Sequence, residues 1–348
     1  MSGLCELLDH GEVRADEIVA VLGKTEGNGG RNDFTRELCQ RSLCRVLAER
    51  LRLDQDEVSR RVVFSLSGGT EGVVSPHLCV FARTGEALPA PRADKRLAIG
   101  VGWTRPFSPQ EIGRRAQIEE TARVVREVAA SLCVDGPGDV HLVQMKGAIV
   151  PATFEQTRAA RRGGSPLRSD MVHSRAASAI GVGVALGEID PALATDDAVC
   201  SSWDLHSSVA SVSAKPGLER SEVMVFANSR FWAGDLRIEH GVMRDILDVD
   251  TVAQVLSRLG IEYSTRPSEE QVARIVGVFA KAEADPRGTV RGRRHVMLDD
   301  DDVSDTRWSR CALGAVLASA LGETAVYVST RAEHHGPLGG GPLAIIAR

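Results

Sequence analysis

The sequence predicts an α/β fold of three fused structural repeats with pseudo-three-fold symmetry, each a small sheet covered by helices, with the active site on the central axis. Three observations lead there. Strand-like runs deliver a basic residue at Lys24, at Lys146 and, in the last third, at Arg293 or Arg294. Segments with apolar or small residues at helical spacing are each entered by an arginine: Arg36, Arg175 and Arg310. A later run in each third ends on a serine: Ser67, Ser213 and Ser329. The period is roughly 115 residues, far longer than a solenoid repeat, which points to fused copies of one small domain rather than a stacked array. Units are expected at residues 1–104, 112–249 and 254–348.

The first unit opens with the apolar strand Glu17–Leu22, which runs into the glycine-rich turn Gly23–Gly30 and leaves Lys24 at the strand's end. That turn resembles a fragment of a phosphate loop. The order G-x-x-x-x-G-K-[ST] is absent, however, and no acidic metal partner follows, which argues against nucleotide binding. A helix from Thr35 to Arg52 leads to the strand Arg61–Leu66, which stops at Ser67-Gly68-Gly69; strands at His77–Arg83 and Leu97–Gly102 and a long helix at Ile112–Leu132 follow.

The second unit repeats the plan. The strand Val140–Met145 delivers Lys146, a helix is entered through His173-Ser-Arg175, and Ser207–Ala214 takes the place of the Ser-Gly-Gly loop. Glu222–Ala227 is the next strand, and a helix entered at Thr251 mirrors the one at Ile112. In the third unit Thr289–His295 stands where the lysines stood, Arg310 opens a helix, Thr324–Thr330 closes a strand on Ser329, and Leu343–Ala347 is the last strand.

Composition narrows the partners. A net charge of -5, a pI near 6.0 and only short arginine-rich patches leave no electrostatic footprint for nucleic acid. No run of 18 apolar residues appears, and Met1–Glu6 has no basic-then-apolar pattern, so a cytoplasmic protein without membrane contact is expected. Seven cysteines without a Cys-x-x-Cys pair read as reduced thiols, neither disulfides nor a zinc site. Aromatics are 4% of the chain while alanine, valine and glycine abound, a core of small and β-branched side chains that suits layered α/β structure. A small-molecule ligand and no catalytic cofactor are expected.

The recurring trio has a chemical reading. A serine attacks poorly unless a base takes its proton, and a lysine can be that base when burial or neighbouring cations depress its pKa. The small residues Gly68 and Ala214 after two of the serines let a backbone N–H approach a developing oxyanion, and Thr330 is the exception in the third unit. Arginine offers a planar fork to a flat, oxygen-rich anion. Three such sets about one axis fit a ligand that is itself nearly three-fold symmetric. The alternative is that the serines cap turns and the lysines are solvated.

Several longer motifs carry a resemblance. Gly23-Lys-Thr-Glu-Gly-Asn-Gly, Ser67-Gly-Gly-Thr-Glu-Gly-Val-Val-Ser-Pro-His77, His173-Ser-Arg-Ala-Ala-Ser-Ala-Ile-Gly-Val, His240-Gly-Val-Met-Arg-Asp245 and Phe279-Ala-Lys-Ala-Glu-Ala-Asp-Pro286 resemble the cyanuric acid hydrolase and barbiturase family over essentially the whole chain. The resemblance implies cyclic amide ring opening, a three-repeat fold and a homotetramer. Carried over motif by motif, it implies Ser213 as nucleophile and Lys146 as general base, with Lys24 and Ser67 as a second, binding dyad. Arg36, Ser67, Gly68, Arg175, Ser213, Ala214, Arg310, Ser329 and Thr330 would hold the substrate. It also implies a structural Mg²⁺ or Ca²⁺ near Glu283, Ala332, His335, Gly336, Pro337 and Gly340, largely through backbone oxygens.

This sequence departs from the family pattern at Ser329-Thr330-Arg331, where Ser-Gly-Gly is usual, at Lys215-Pro216 after the nucleophile, and at His335, where imidazole replaces an amide. Cyanuric acid is the expected substrate, opened to carboxybiuret, with barbituric acid, opened to ureidomalonate, as the alternative. The two rings differ at one position, N–H against CH₂, and Thr306 ahead of Arg310 is the candidate selector. A catalytically silent homologue that binds a planar ureide is the other function class.

Overall fold

The computed structural model describes residues 2–30 and 32–348. The first third contains α1 (Ser2–Asp9), β1 (Ile18–Thr25), α2 (Thr35–Leu51), α3 (Gln55–Arg61), β2 (Val63–Gly68), β3 (His77–Ala82) and β4 (Arg96–Trp103). The second contains α4 (Arg115–Ser131), β5 (Val140–Ile149), α5 (Phe154–Arg161), α6 (Met171–Leu186), β6 (Ala210–Pro216), β7 (Glu222–Ser229), β8 (Arg237–Met243) and α7 (Val249–Arg258). The last contains α8 (Glu269–Val272), β9 (Ile275–Lys281), the short hairpin β10 (Thr289–Val290) and β11 (Arg293–Arg294), α9 (Asp305–Leu321), β12 (Tyr327–Ser329) and β13 (Gly341–Ala347). None of these helices is long and apolar enough to cross a membrane.

Three sheets share one plan. Their orders are β2-β1-β3, β6-β5-β7-β4 and β12-β9-β13-β8. In each, the central strand carries a lysine in its carboxyl-terminal half, the strand after the crossover helix lies parallel to it, and the next strand lies antiparallel on the other side. The parallel pairing is imposed by the helix between the two strands, since a parallel neighbour cannot be reached through a tight turn. The same helix brings its entrance arginine to the carboxyl ends of the strands.

The fourth strand of a sheet is donated by the preceding third. β4 pairs with β7, and β8 pairs with β13. The boundaries expected after residues 104 and 249 therefore need correction: each of those cuts separates a strand from its own sheet. In space the units divide before β4 and before β8, and the first sheet keeps three strands. The sequence hid this because an edge strand's alternation reads the same whichever sheet it joins.

Helix α6 is buried from Ser174 to Val184, packed between its sheet and α4. Its small residues follow from that crowding: a Cβ on Gly181 would come within 2.7 Å of the Ile118 carbonyl oxygen. Asp170 caps the helix by accepting the N–H groups of Val172 and His173. The inward faces of all three sheets meet in one cluster that contains Leu22, Leu142, Phe226, Phe279 and Tyr327, where Phe226 and Phe279 stack at 6.2 Å. This shared core fixes the three units about a common axis.

Candidate active site

Strand register brings each lysine beside a serine. Lys24 is paired with Ser67, Lys146 with Ser213 and Lys281 with Ser329 in the three parallel ladders. The Nζ-to-Oγ distances are 3.3, 2.7 and 3.1 Å. Two of the lysines also reach the neighbouring unit. Lys24 donates to the Val328 carbonyl at 2.9 Å and Lys146 to the Leu66 carbonyl at 2.9 Å, each the residue before that neighbouring unit's serine. Lys281 instead donates to Thr330 O at 3.0 Å.

The third basic residue is therefore Lys281, and the expectation of Arg293 or Arg294 is corrected. Those arginines are exposed on the β10–β11 hairpin, where Arg294 pairs with Asp299 at 2.6 Å. A guanidinium there has solvent and a carboxylate, and no reason to enter the core. The missed signal was local: Phe279-Ala-Lys281 brings an apolar run onto a lysine as Val143-Gln-Met-Lys146 does.

Burial drives all three lysines down. Lys146 and Lys281 fall to about 7 from an ordinary 10.5; after burial, the next cause is Arg36 for Lys146 and Arg175 for Lys281. Lys24 is lowered well below its usual range by burial and by Arg310. A buried lysine that is neutral near pH 7 can accept a serine proton.

Two of the three entrance arginines grip an acid of the next unit. Arg175 of α6 grips Glu333 through Nε at 2.8 Å and Nη2 at 2.7 Å, and Arg310 of α9 grips Glu71 through the same atoms at 2.7 and 2.6 Å. Glu71 and Glu333 each stand four residues after their serine, a repeat the sequence shows once the serines are aligned. In the second unit that position is Gly217. Arg36, deprived of the equivalent acid, lies 3.5 Å from Asp33 and donates to the Gly30 carbonyl at 2.6 Å. Each fixed fork leaves Nη1 of Arg175 and Arg310 without a hydrogen-bond partner among the described residues, available to a ligand oxygen.

The loops after the serines differ. Gly69 takes a left-handed φ of 94°, and Arg331 takes the same region at 66° despite its side chain, so the third loop turns as the first does. Arg331 is anchored by Asp305 at 2.9 Å. In the second unit, β6 runs straight on through Ala214 and Lys215 to Pro216 and turns only at Gly217, φ 81°. The Val212 N–H points off the open edge of β6 toward His335, and by strand alternation the Ala214 N–H lies on that same edge. Thr306 lies on the first turn of α9, where its carbonyl accepts the Thr330 hydroxyl at 3.5 Å and its own hydroxyl meets Ser304 at 3.0 Å.

Around the expected metal position the residues fit a hard cation in part. Burial pushes the Glu283 carboxyl up, and Glu333 adds to this; its Oε2 accepts the Ala332 N–H at 2.9 Å. The loop leaves no room for side chains at Gly336 and Gly340, since a Cβ there would meet Gly341 Cα at 2.8 Å and the Met243 carbonyl at 2.0 Å. Carbonyl oxygens and one carboxylate suit Mg²⁺ or Ca²⁺. The His335 imidazole does not fit. Its Nε2 accepts the Val212 N–H at 3.0 Å, so its Nδ1 carries the proton toward Glu333 O at 2.6 Å, and no lone pair is left for a metal. Among the described residues no group of three or more His, Cys, Asp or Glu side chains could hold a metal ion.

The family model described as amidohydrolase ring-opening protein matches residues 1–348. The cyanuric acid amidohydrolase of Bradyrhizobium diazoefficiens is 46% identical over 352 residues, covering 100% of this chain and 94% of the relative. The cyclic amide hydrolase of Azorhizobium caulinodans is 43% identical over 353 residues, covering 100% and 96%. Among solved structures, a cyanuric acid hydrolase described as an evolutionary innovation by structural concatenation superposes with a TM-score of 0.91 at 46% identity, covering 100% of this chain and 95% of that one. The cyanuric acid hydrolase from A. caulinodans gives 0.85 at 39% identity, covering 99% and 94%. The chain belongs to the ring-opening amidohydrolase family.

Proposed function

We propose that the protein hydrolyses cyanuric acid, with Ser213 as nucleophile and Lys146 as its base. The observation that carries this reading is the 2.7 Å contact between Lys146 Nζ and Ser213 Oγ, the shortest of the three, on a lysine held down to about 7. Neutral Lys146 takes the Ser213 proton as Oγ adds to a ring carbonyl. The developing oxyanion meets the Ala214 N–H, with Arg175 Nη1 as a further donor. Lys146 returns the proton to the ring nitrogen as the C–N bond breaks. Water then hydrolyses the acyl-enzyme, and the product is carboxybiuret, which loses CO₂ to leave biuret.

Lys24 with Ser67 and Lys281 with Ser329 hold the other two edges of the ring, together with Arg36, Arg310 and the backbone at Gly68 and Thr330. A structural Mg²⁺ or Ca²⁺ on Glu283 and the carbonyl oxygens of Ala332, His335, Gly336, Pro337 and Gly340 would neutralise the Glu283 carboxylate and brace the loop that carries Glu333. Family resemblance supports a homotetramer, and the protruding Phe34, Leu38 and Phe154 are side chains that a subunit contact would cover. Seven free cysteines suit a reducing, cytoplasmic setting.

The test is an assay of the purified protein with cyanuric acid and with barbituric acid. Turnover of cyanuric acid to biuret and CO₂ is expected. Turnover of barbituric acid alone would move the assignment to the sister activity, and binding of either without product would leave a silent ureide binder.

A further inference from the structure

We propose that Glu222 and Lys215 are positioning residues that set the charge of Lys146 and so single out one of the three Lys–Ser pairs for reaction. The inference rests on Ser213 and Lys146 being the reactive pair. It starts from the antiparallel neighbour of each lysine. Across that ladder Lys24 faces His77 and Lys146 faces Glu222; Lys281 lies one step beyond the Ala280–Leu343 pair, where Pro342 is next in register. Directly opposed residues project to the same face of a sheet. Lys215 lies two residues after Ser213 on β6, hence on that face too. The reactive pair is thus flanked by an acid that neither other unit has in that place and by a second base; the first unit has Gly69 in the place of Lys215, and the third has Arg331, which leaves the strand in a left-handed turn and is held by Asp305.

The acids near the other two lysines are occupied. Glu71 and Glu333 are each clamped by an arginine fork, and Glu283, which also faces Lys281, accepts the Ala332 N–H. Glu222 has no hydrogen bond or ion pair among the described residues, so its charge is free to change. Burial pushes its carboxyl up to about 7, against the pull of Lys215 and Lys146, and Lys146 itself lies at about 7. The charged groups that Lys146 meets are Arg36 from α2, Lys215 from β6 and Glu222 from β7, with Lys24 and Lys281 across the axis. The field of an ionised Glu222 raises the lysine, and Lys215 lowers it. His77 is pushed down by burial and is a neutral neighbour for Lys24, with Nδ1 bonded to the Ser75 carbonyl at 2.8 Å.

Opposite displacements test this. Lys146 must be neutral to act, so kcat/KM rises with pH through its pKa, and that acid limb belongs to the free enzyme and free substrate. Substrate ionisation is common to every variant. Glu222→Gln should move the limb to lower pH and Lys215→Met to higher pH, each by about one unit, the size expected of one nearby charge. The double variant should return close to the wild-type limb, and Lys215→Arg should leave it in place. A purely structural role would lower rates without moving the limb in opposite senses. Should Glu222→Gln not fold, the comparison of Lys215→Met with Lys215→Arg carries the test alone. Limbs that stay fixed in these variants while Ser213→Ala abolishes turnover overturn the inference only; near-normal turnover by Ser213→Ala overturns the reading beneath it.

Discussion

Arg310 and Glu71, 239 residues apart, are joined by two hydrogen bonds of 2.7 and 2.6 Å and close the ring between the last unit and the first. The neighbouring fork, Arg175 on Glu333, joins the second unit to the third. Removing one member of a buried pair leaves an uncompensated charge, which costs more than the pair itself contributes. Glu71→Ala should lower stability by about 3 kcal/mol, measured by urea unfolding, and Arg310→Met with Glu71→Leu should recover much of it. A loss no larger than that of an exposed ion pair would show that the fork does not hold the ring.

Stability should respond to pH from two sides. Burial raises the Glu71 carboxyl, but Arg310 outweighs it and the net shift is downward. Its contribution is therefore complete above the ordinary carboxylate pKa and is lost as pH falls through the lower folded value. Lys146 and Lys281 are held at about 7 against an ordinary 10.5, so between those values the unfolded chain binds protons that the folded one does not, and stability rises with pH over that window. Thermal unfolding followed from pH 7 to 10 checks the second effect; a melting temperature that falls across it would contradict neutral buried lysines.

Ser213→Ala and Lys146→Ala should each lower kcat by several orders of magnitude, because nucleophile and base act as one unit. Ser67→Ala and Ser329→Ala should mainly raise KM. Loss of turnover in Ser67→Ala with normal kcat in Ser213→Ala would transfer the nucleophile to the first unit.

Gly68→Ala should cost about 1–3 kcal/mol and raise KM, since the new Cβ would sit 1.8 Å from Asp33 Oδ2 and 2.8 Å from the Gly29 nitrogen. The equivalent positions already carry Ala214 and Thr330, so the constraint belongs to the first loop alone. A variant with unchanged melting temperature and KM would show that this loop yields.

Chelation should lower the melting temperature, with Mg²⁺ or Ca²⁺ restoring it, and Glu283→Ala should abolish that response. Recovery by zinc alone would contradict a site of oxygen ligands.

The sequence by itself determined the three-fold repetition, Ser67 and Ser329 near the ends of their strands, the entrance arginines and two of the three lysines, because each is a short-range pattern: an apolar run, a cap, a turn. Even the third lysine is written locally in Phe279-Ala-Lys281, although the Arg293–Arg294 pair is the more conspicuous charge in that third of the chain. Other features required the tertiary structure. That β4 and β8 serve the following sheet, that Glu71 and Glu333 occupy two of the three arginines, and that His335 has both ring nitrogens bonded inside the protein are contacts between residues far apart in the chain. Strand alternation fixes which face a side chain takes but not which strand lies alongside, and that choice sets the surroundings of Lys146: Ser213 on one side, Glu222 on the other.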